Sequence, residues 1–545
     1  NYNTVVGDEA GTAITTGDNN TAIGYAAGDA ITTAVESTAV GSQALSAVTT
    51  GNSNTAVGMN AGLAITTGSN NVAVGPYALT TMTTSDYNTA VGRAAGRYIT
   101  TGVQNTLIGA LAGDALTDAD FNTAIGHLAL SSDTLGSRST AIGMNTLRDQ
   151  NFTSATETYN VAVGHGAGLL VTTGTQNTLI GGLAGDAITT ANNNTAVGYA
   201  SLGTNTTGSE NTALGGGALD ANTTANDNTA IGYNALGANT TGASNSVLGA
   251  YALDGNTTGA NNVAIGRASL GANTTASNNT AVGYNSLTTN TTGAANTAVG
   301  KGALDANTTA NNNTAVGDSS LGVNTTGSEN TAIGTSSLVA TTTGSGNVGV
   351  GYGAGDDVTT GSFNIAIGKQ ALQGGGAITG DFNIAIGRTT QQGVTSGSQN
   401  NSLGVDSLNA NTTGNYNVAL GSSALRIGTA MSNNVAVGYK AGRNTTSNNN
   451  TFVGHESGQA NTTGDKNVAV GASALDANTT GRLNTAVGQD SMSTNTTADS
   501  NTAVGQGSLQ LNTTGANNTA LGRAALNVNT TAADNVALGS NALAA

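Results

Sequence analysis

The chain of 545 residues contains no cysteine, no tryptophan and a single proline, Pro76. Without cysteine, disulfide bridges and thiol-ligated metals are excluded. Aromatic residues make up 3% and charged residues 8% of the sequence. A globular domain of this length would be expected to carry more large apolar side chains, so the composition argues against most enzymes. The sequence also has no apolar run of the roughly 18 residues that a membrane-spanning helix requires, so we expect no membrane insertion.

Positive charge is also scarce. The sequence has 14 Lys and Arg against 30 Asp and Glu, which gives a formal net charge of −16. The basic residues are scattered singly, whereas nucleic-acid binding needs clustered cations to neutralise phosphates. We therefore expect no nucleic-acid partner.

What the sequence does have is a repeat. The phrase N-T-A-V/I/L-G occurs 32 times between Asn3 and Asn535, always with Gly fifth. Successive copies start at a constant interval of 17, except from Ser139 to Asn160 (21), Asn364 to Asn383 (19) and Asn434 to Asn450 (16). This period is too short for two helices and suits one coil of a β-solenoid. We predict an all-β parallel β-solenoid with 32 rungs, forming one continuous domain over 1–545. The sequence does not begin with Met, and we interpret it as a piece of a longer fibre with no cap, anchor or tip domain.

We number each rung 1 to 17 from its Asn. Position 4 is Val, Ile or Leu in every rung and position 2 is mostly Thr, Val or Ile, so both are expected to face the core. Position 3, usually Ala, would then point outward. Its near-constancy predicts an interface between chains along Ala230, Ala264 and Ala298. Gly at position 5 is expected to close a tight corner, and position 6, with residues such as Tyr233, to face solvent.

The remainder of the rung is predicted to contain a second strand. Early rungs have Gly28 at position 9 and Ile31 at position 12, whereas later ones have Leu236 and Asn239 there. Because the aliphatic group moves while the period is kept, both positions are expected to border one core. The Asn of the recurring N-T-T is expected to stack in a hydrogen-bonded ladder rather than to carry glycans.

Two kinds of residue, histidine and aspartate, could in principle bind a metal ion. The histidines His127, His165 and His455 lie at position 6, too far apart to share a metal without other ligands. Asp recurs at position 10, never in neighbouring rungs, and the repeated G-G-x-G-x-D of calcium solenoids is missing. We predict no catalytic, cofactor-binding or metal-binding residues, and hence no enzyme; structural calcium remains an alternative. The aspartates concerned are Asp29, Asp114, Asp186, Asp220, Asp254, Asp305, Asp356 and Asp476.

The rung N-T-A-V-G-Y-x-A-L-x-x-N-T-T-G, clearest at 194–208 and 279–293, resembles the head repeats of trimeric autotransporter adhesins. It is also similar to 17-residue repeats of bacteriophage tail-fibre proteins. The resemblance implies a left-handed parallel β-roll, three chains side by side, in a fibre that is extracellular, on a cell surface or on a virion. Adhesin heads usually have shorter rungs, and no coiled-coil stalk, membrane anchor or tail-fibre chaperone domain is recognisable here.

The predicted function is a non-catalytic, structural and adhesive shaft of an extracellular fibre. Its partners would be further copies of the chain and a host-cell or abiotic surface. The alternative is an ice-binding solenoid, because stacked Thr at positions 13 and 14 could order water. The insertions near 149–158 and 374–380 fall after the first strand of a rung and are predicted to project as surface loops.

Overall fold

The computed structural model describes residues 2–544 and divides into two compact units, Asn1–Ala276 and Ser277–Ala545. All regular structure in residues 2–544 is β-strand and turn. Within this range there is accordingly no helix with the length and apolarity needed to span a membrane.

The strands of the first unit are short and, apart from two additional two-residue strands, follow one another at the spacing of the repeat. They are β1 (Thr4–Val6), β2 (Thr21–Ile23), β3 (Thr38–Val40), β4 (Thr55–Val57), β5 (Val72–Val74), β6 (Thr89–Val91), β7 (Thr106–Ile108), β8 (Thr123–Ile125), β9 (Gly136–Ser137), β10 (Thr140–Ile142), β11 (Thr156–Glu157), β12 (Val161–Val163), β13 (Thr178–Ile180), β14 (Thr195–Val197), β15 (Thr212–Leu214), β16 (Thr229–Ile231), β17 (Ser246–Leu248) and β18 (Val263–Ile265). Strands β9 and β11 pair with each other, and the others form one parallel sheet.

The second unit repeats this arrangement. Its strands are β19 (Thr280–Val282), β20 (Thr297–Val299), β21 (Thr314–Val316), β22 (Thr331–Ile333), β23 (Val348–Val350), β24 (Ile365–Ile367), β25 (Ile384–Ile386), β26 (Asn401–Leu403), β27 (Val418–Leu420), β28 (Val435–Val437), β29 (Thr451–Val453), β30 (Val468–Val470), β31 (Thr485–Val487), β32 (Thr502–Val504), β33 (Thr519–Leu521) and β34 (Val536–Leu538).

Each strand pairs in parallel with the strand of the next rung, position for position. In β14 and β15, for example, Thr195 pairs with Thr212 and Val197 pairs with Leu214. The four-residue insertion leaves this register intact, since Thr140 of β10 still pairs with Val161 of β12. The predicted parallel β-solenoid with one coil per repeat is therefore confirmed in each unit.

The predicted direction of the strand side chains is wrong. Ala230, Ala264 and Ala298 at position 3 are fully buried, so they face the core and form no interface. Position 4 points outward instead, and position 2 with it. The inner side at position 3 favours a small residue, because its side chain packs against the side chain at position 9 of the preceding rung. At Gly349, which replaces this alanine, an added Cβ would lie 2.8 Å from Cγ of Leu338.

The predicted second strand is also wrong, because two consecutive turns occupy that segment. The amide of Ala235 donates to the carbonyl of Gly232 (3.3 Å), and the amide of Asn239 donates to the carbonyl of Leu236 (3.3 Å). Asn234 and Leu236 have positive φ angles of 49° and 54°. Such angles bend the chain tightly and are usually left to Gly or Asn.

Glycine at position 5 closes a corner, as predicted. Gly232 has φ of 138°, and a Cβ on it would lie 2.6 Å from the carbonyl carbon of Gly249 in the next rung. Any side chain here would separate adjacent rungs and break their pairing. Position 6 follows at the surface, where Tyr233 and the three histidines are exposed, which confirms the predicted orientation.

Positions 9 and 12 share one core, which confirms the predicted compensation. Ile31, Leu236 and Asn239 are all fully buried. A Cβ on Gly28 would lie 2.7 Å from Cδ1 of Ile31, so Gly at position 9 makes room for Ile at position 12. The core of each rung is thin, and its volume varies, because Leu45 and Val48 are both fully buried in one rung.

A second compensation was missed by the sequence analysis. Where position 3 is Leu or Phe, position 9 is Gly both in the same rung and in the preceding one. Leu107 is fully buried, and Cβ atoms on Gly96 and Gly113 would lie 2.7 and 2.8 Å from its methyl carbons. Leu179 and Phe452 have the same two glycine neighbours. The signal is present in the sequence as a correlation between positions 3 and 9.

Buried asparagines form two ladders. The predicted one, at position 12, is confirmed: Asn239 Nδ2 donates to Asn222 Oδ1 (3.0 Å) and to the Gly242 carbonyl (2.9 Å). The other, at position 1, was not predicted. The backbone amide of Asn228 donates to Asn211 Oδ1 (3.0 Å), and the side-chain Nδ2 of Asn228 donates to the same Gly242 carbonyl (3.0 Å). Because these side chains are fully buried, they act as structural groups and are inaccessible in the folded chain.

Candidate functional site: the outward sheet face

The outward sheet face, defined as the side chains at positions 2 and 4 of the rungs, is the most unusual surface of the molecule. Every rung places Val, Ile or Leu at position 4, and no rung has a charged residue at position 2 or 4. These aliphatic side chains are partly open to solvent: Leu214 is 44% and Leu248 is 49% exposed, whereas residues such as Ile231 are half-buried. Charge-free aliphatic surface repeated in every rung is typical of surfaces that bind another protein.

The size of this face supports the same interpretation. Every rung of a unit adds one partly exposed aliphatic side chain at position 4, so the apolar row runs through the whole unit, whereas the largest apolar patch on a typical monomer covers roughly 300–600 Å².

Aromatic side chains border the face on both edges, at positions 17 and 6. The position-17 edge, formed by the last residue of each rung, carries a parallel stacked pair, Phe363 and Phe382, whose ring centroids are 5.2 Å apart and which are 53% and 52% exposed. At the other edge, Tyr233 makes an edge-to-face contact with Tyr251 at 5.4 Å. An aliphatic centre bordered by aromatic and polar residues has the composition of a protein interface.

Buried side chains hold the base of the first insertion, near 149–158, in place. Gln150 and Phe152 are buried, whereas residues 153–155 are exposed. The buried Asp133 carboxylate accepts hydrogen bonds from Gln150 Nε2 (2.6 Å) and from the amides of Phe152 and Gly136 (both 3.1 Å). Burial raises the pKa of Asp133. The predicted surface loop is thus confirmed for 153–155, and an unpredicted polar network holds its base.

A group of four exposed side chains, here named the rim cluster, lies beside this insertion: Phe121, Arg138, Glu157 and Tyr159. Arg138 Nε is 3.0 Å from Glu157 Oε1, and the Tyr159 hydroxyl donates to Glu157 Oε2 (2.7 Å). The Arg138 guanidinium lies 4.8 Å from the centroid of the Phe121 ring and 5.9 Å from that of Tyr159. A shallow cleft of about 160 Å³ opens between Arg138, Glu157 and their neighbours.

The second insertion has a similar form. Residues 375–377 are exposed, and Ile378 is fully buried beneath them. At its base, Gln373 Nε2 donates to Asp356 Oδ2 (3.1 Å), and Gln392 Nε2 donates to Gln373 Oε1 (3.0 Å). Here too the predicted surface loop is confirmed for its central residues.

The aspartates at position 10 line the edge of the turn segment and are partly buried. Loss of hydration raises the pKa of Asp114, Asp186, Asp220, Asp254 and Asp305. For Asp356 and Asp476, the same burial raises the pKa to about 6. Two of them, Asp220 and Asp254, lie two rungs apart and line one shallow cavity of about 260 Å³.

The three histidines lie apart from one another, and His455 Nδ1 is 3.7 Å from Glu456 Oε2. His127, His165 and His455 are exposed at position 6. Within residues 2–544, no three His, Asp or Glu side chains group in a way that could hold a metal ion.

Comparison with known proteins assigns no family to this surface: no protein-family model matches the chain, and a search of curated proteins finds no match.

Proposed function

We propose that the chain is a non-catalytic shaft of an extracellular fibre, in which copies pack side by side through the outward sheet face. The observation that supports this proposal is the charge-free row of exposed Val, Ile and Leu at position 4. Leaving this much aliphatic surface in water is unfavourable, at roughly 25 cal/mol per Å². Covering it with the same face of another copy removes that cost along the length of each unit.

The thin core of a single rung favours the same arrangement. The inward positions hold mainly Ala, one Leu or Ile, and Asn, so each rung buries little apolar surface for the length of chain that it orders. Packing between copies would bury the aliphatic groups that a single coil leaves outside. From the resemblance to adhesin heads and tail fibres we carry over a left-handed coil, a trimer, and a location on a cell surface or virion.

Adhesion would use the variable surface residues. Position 6 carries exposed residues such as Tyr199 and Lys301, and these differ between rungs while the buried positions hardly change. A host-cell or abiotic surface is the proposed target. Attachment of cells or particles that display the chain should fall when the rungs are removed; unchanged attachment would contradict the adhesive role.

An ice-binding role is the rival proposal, and one observation weighs against it. The hydroxyls at position 13 are engaged within the solenoid, as when Thr240 Oγ1 donates to the carbonyl of Thr257 (2.9 Å). These hydroxyl hydrogens are therefore not free to order water, which leaves only the exposed column at position 14, where Thr241 lies. We accordingly favour the shaft.

Self-association can be tested with charges on the two sides of the strand. Leu214→Glu combined with Leu248→Glu should split the assembly without unfolding it, because both side chains already face outward. The matched control, Thr207→Glu combined with Thr241→Glu, alters exposed residues of the turn segment and should leave the assembly intact. Light scattering gives the mass and circular dichroism the folded state. A wild-type chain that is monomeric at tens of micromolar would refute the proposal.

A further inference from the structure

The residues of the outward sheet face do not fix the axial position of one copy relative to another. Positions 2 and 4 carry nearly the same residues in every rung, so the face maps onto itself after a shift of one rung, or about 4.8 Å. A shifted pair would keep its contacts everywhere except at the ends. Register is weakly specified in such repetitive surfaces unless an irregular element breaks the repeat.

In Asn1–Ala276 the spacing of the repeat changes at one rung, the one that starts at Ser139. The strands continue there without a shift, since β10 pairs with both β8 and β12 position for position. The insertion therefore leaves the outward sheet face unaltered and changes only what borders it. That border is the rim cluster, where Phe121, Arg138 and Tyr159 each immediately precede a new rung.

The opposite edge of the face, at position 6, carries distinctive residues in the rungs around the insertion. Position 6 holds His127, Met144 and His165 in the rung before the insertion, the rung of the insertion and the rung after it. All three side chains are exposed. These are the rungs whose strands follow Phe121, Arg138 and Tyr159 in the chain, so the two edges carry their distinctive residues within about one rung of each other.

From this juxtaposition we propose that the rim cluster of one copy contacts His127, Met144 and His165 of a neighbouring copy and thereby sets the axial register of the assembly. The inference rests on the proposed side-by-side packing. When copies are related by rotation about an axis parallel to the stacking direction, the position-17 edge of one meets the position-6 edge of the next. The rings of Phe121 and Tyr159 then meet imidazole rings and the Met144 thioether, both of which pack favourably on aromatic rings.

Charge and rigidity fit this contact. Glu157 brings a carboxylate to the edge that would face imidazoles, while the histidine edge carries no acidic group at position 6 of these rungs. The ion pair with Arg138 and the Tyr159 hydroxyl hold that carboxylate in place, so little side-chain freedom is lost on contact. A shift of the copies by one rung would place the cluster against a different set of side chains.

Disulfide trapping can test the register, because the chain has no cysteine of its own. A Thr195→Cys chain is mixed with a chain carrying Val197→Cys, from the same rung, or Ile231→Cys, from two rungs away. In register, the same-rung disulfide should form at least tenfold more than the distant one. Replacing Arg138, Glu157 and Tyr159 by Ala should bring this ratio close to one, with the mass from light scattering unchanged.

Two further variants complete the test. His127→Ala combined with His165→Ala changes only the opposite edge and should lower the ratio in the same way. As the matched control, Tyr199→Ala combined with Glu210→Ala removes exposed side chains from the same two edges away from the insertion and should leave the ratio unchanged. A ratio that stays high in both the cluster and the histidine variants, in an intact assembly, overturns the register proposal alone. Wild-type chains that neither associate nor cross-link overturn the side-by-side packing itself.

Discussion

The tight packing between positions 3 and 9 can be tested in the rung of Phe452. This ring is fully buried, and a Cβ added to Gly458 would overlap it, while one added to Gly442 would lie 2.6 Å from its Cδ2. Gly458 has φ of 58°, and Leu475 occupies the same position of the next rung with φ of 54°. The backbone there therefore tolerates a side chain, and the obstacle at Gly458 is the phenylalanine ring.

Two single substitutions should each be destabilising, for opposite reasons. Gly458→Ala should cost about 1–3 kcal/mol, from overpacking against the ring. Phe452→Ala should cost about 3–5 kcal/mol, because it leaves a cavity. Combining Phe452→Ala with Gly458→Leu recreates the common Ala and Leu pairing of other rungs, and we expect it to lie within about 1 kcal/mol of the wild type.

Amide hydrogen exchange in β28, β29 and β30 is the suitable measurement, because it reports the stability of these rungs rather than of the whole chain. Protection should fall in both single variants and return in the double variant. The strands around Leu107 serve as an internal reference that should not change. If the double variant lost as much protection as the two single variants together, the proposed exchange of volume between positions 3 and 9 would be refuted.

Further outcomes follow from the buried polar groups and the loops. Asn239→Ala should cost about 2–4 kcal/mol, because it leaves ladder partners unsatisfied inside the core; urea unfolding can measure the loss. The free energy of unfolding should rise as the pH falls from 7 towards 5. The pKa values of Asp356 and Asp476 are about 6 in the folded chain, above the ordinary 3.8, so the folded state takes up protons at a higher pH than the unfolded state does. The resulting stabilisation is complete below pH 3.8 and is lost as the pH rises through 6. Asp476→Asn should reduce the gain in stability between pH 7 and pH 5 by about 1 kcal/mol, allowing for its half-exposed carboxylate, and an unchanged gain in thermal melts would contradict this. Limited proteolysis should cut first within 153–155 and 375–377, and early cleavage inside a strand would contradict the rung register. Thermal hysteresis should be absent at micromolar concentration.

Much of the local structure could be read from the sequence because it depends on contacts between equivalent positions of successive rungs. Gly232 at a corner, the buried exchange between Ile31 and Leu236, and the Asn239 ladder all recur with the period of the repeat. A residue stacked on copies of itself is constrained by its own size and hydrogen bonding, so the repeat alone reveals the constraint. The exposed position of Tyr233 follows in the same way, from its variability.

The inward and outward faces of the strand could not be decided in this way. In Thr-Ala-Ile, as at Thr229 to Ile231, the alternation is evident, but either face could be the inner one. Burial of the larger aliphatic residue is the usual expectation, and it was wrong here. The choice depends on the distance between the strand and the turn segment of the same coil, and a buried residue such as Leu236 fills that gap.

The sequence by itself therefore determined the period, the parallel stacking, the glycine corners and the position-12 asparagine ladder. The tertiary structure alone decided that Ala230 is the inner residue and Ile231 the outer one, and that two turns replace the expected second strand. The physical reason is that so short a coil encloses little volume. Alanine fits beside leucine within it, and the aliphatic residues that do not fit are left on the surface.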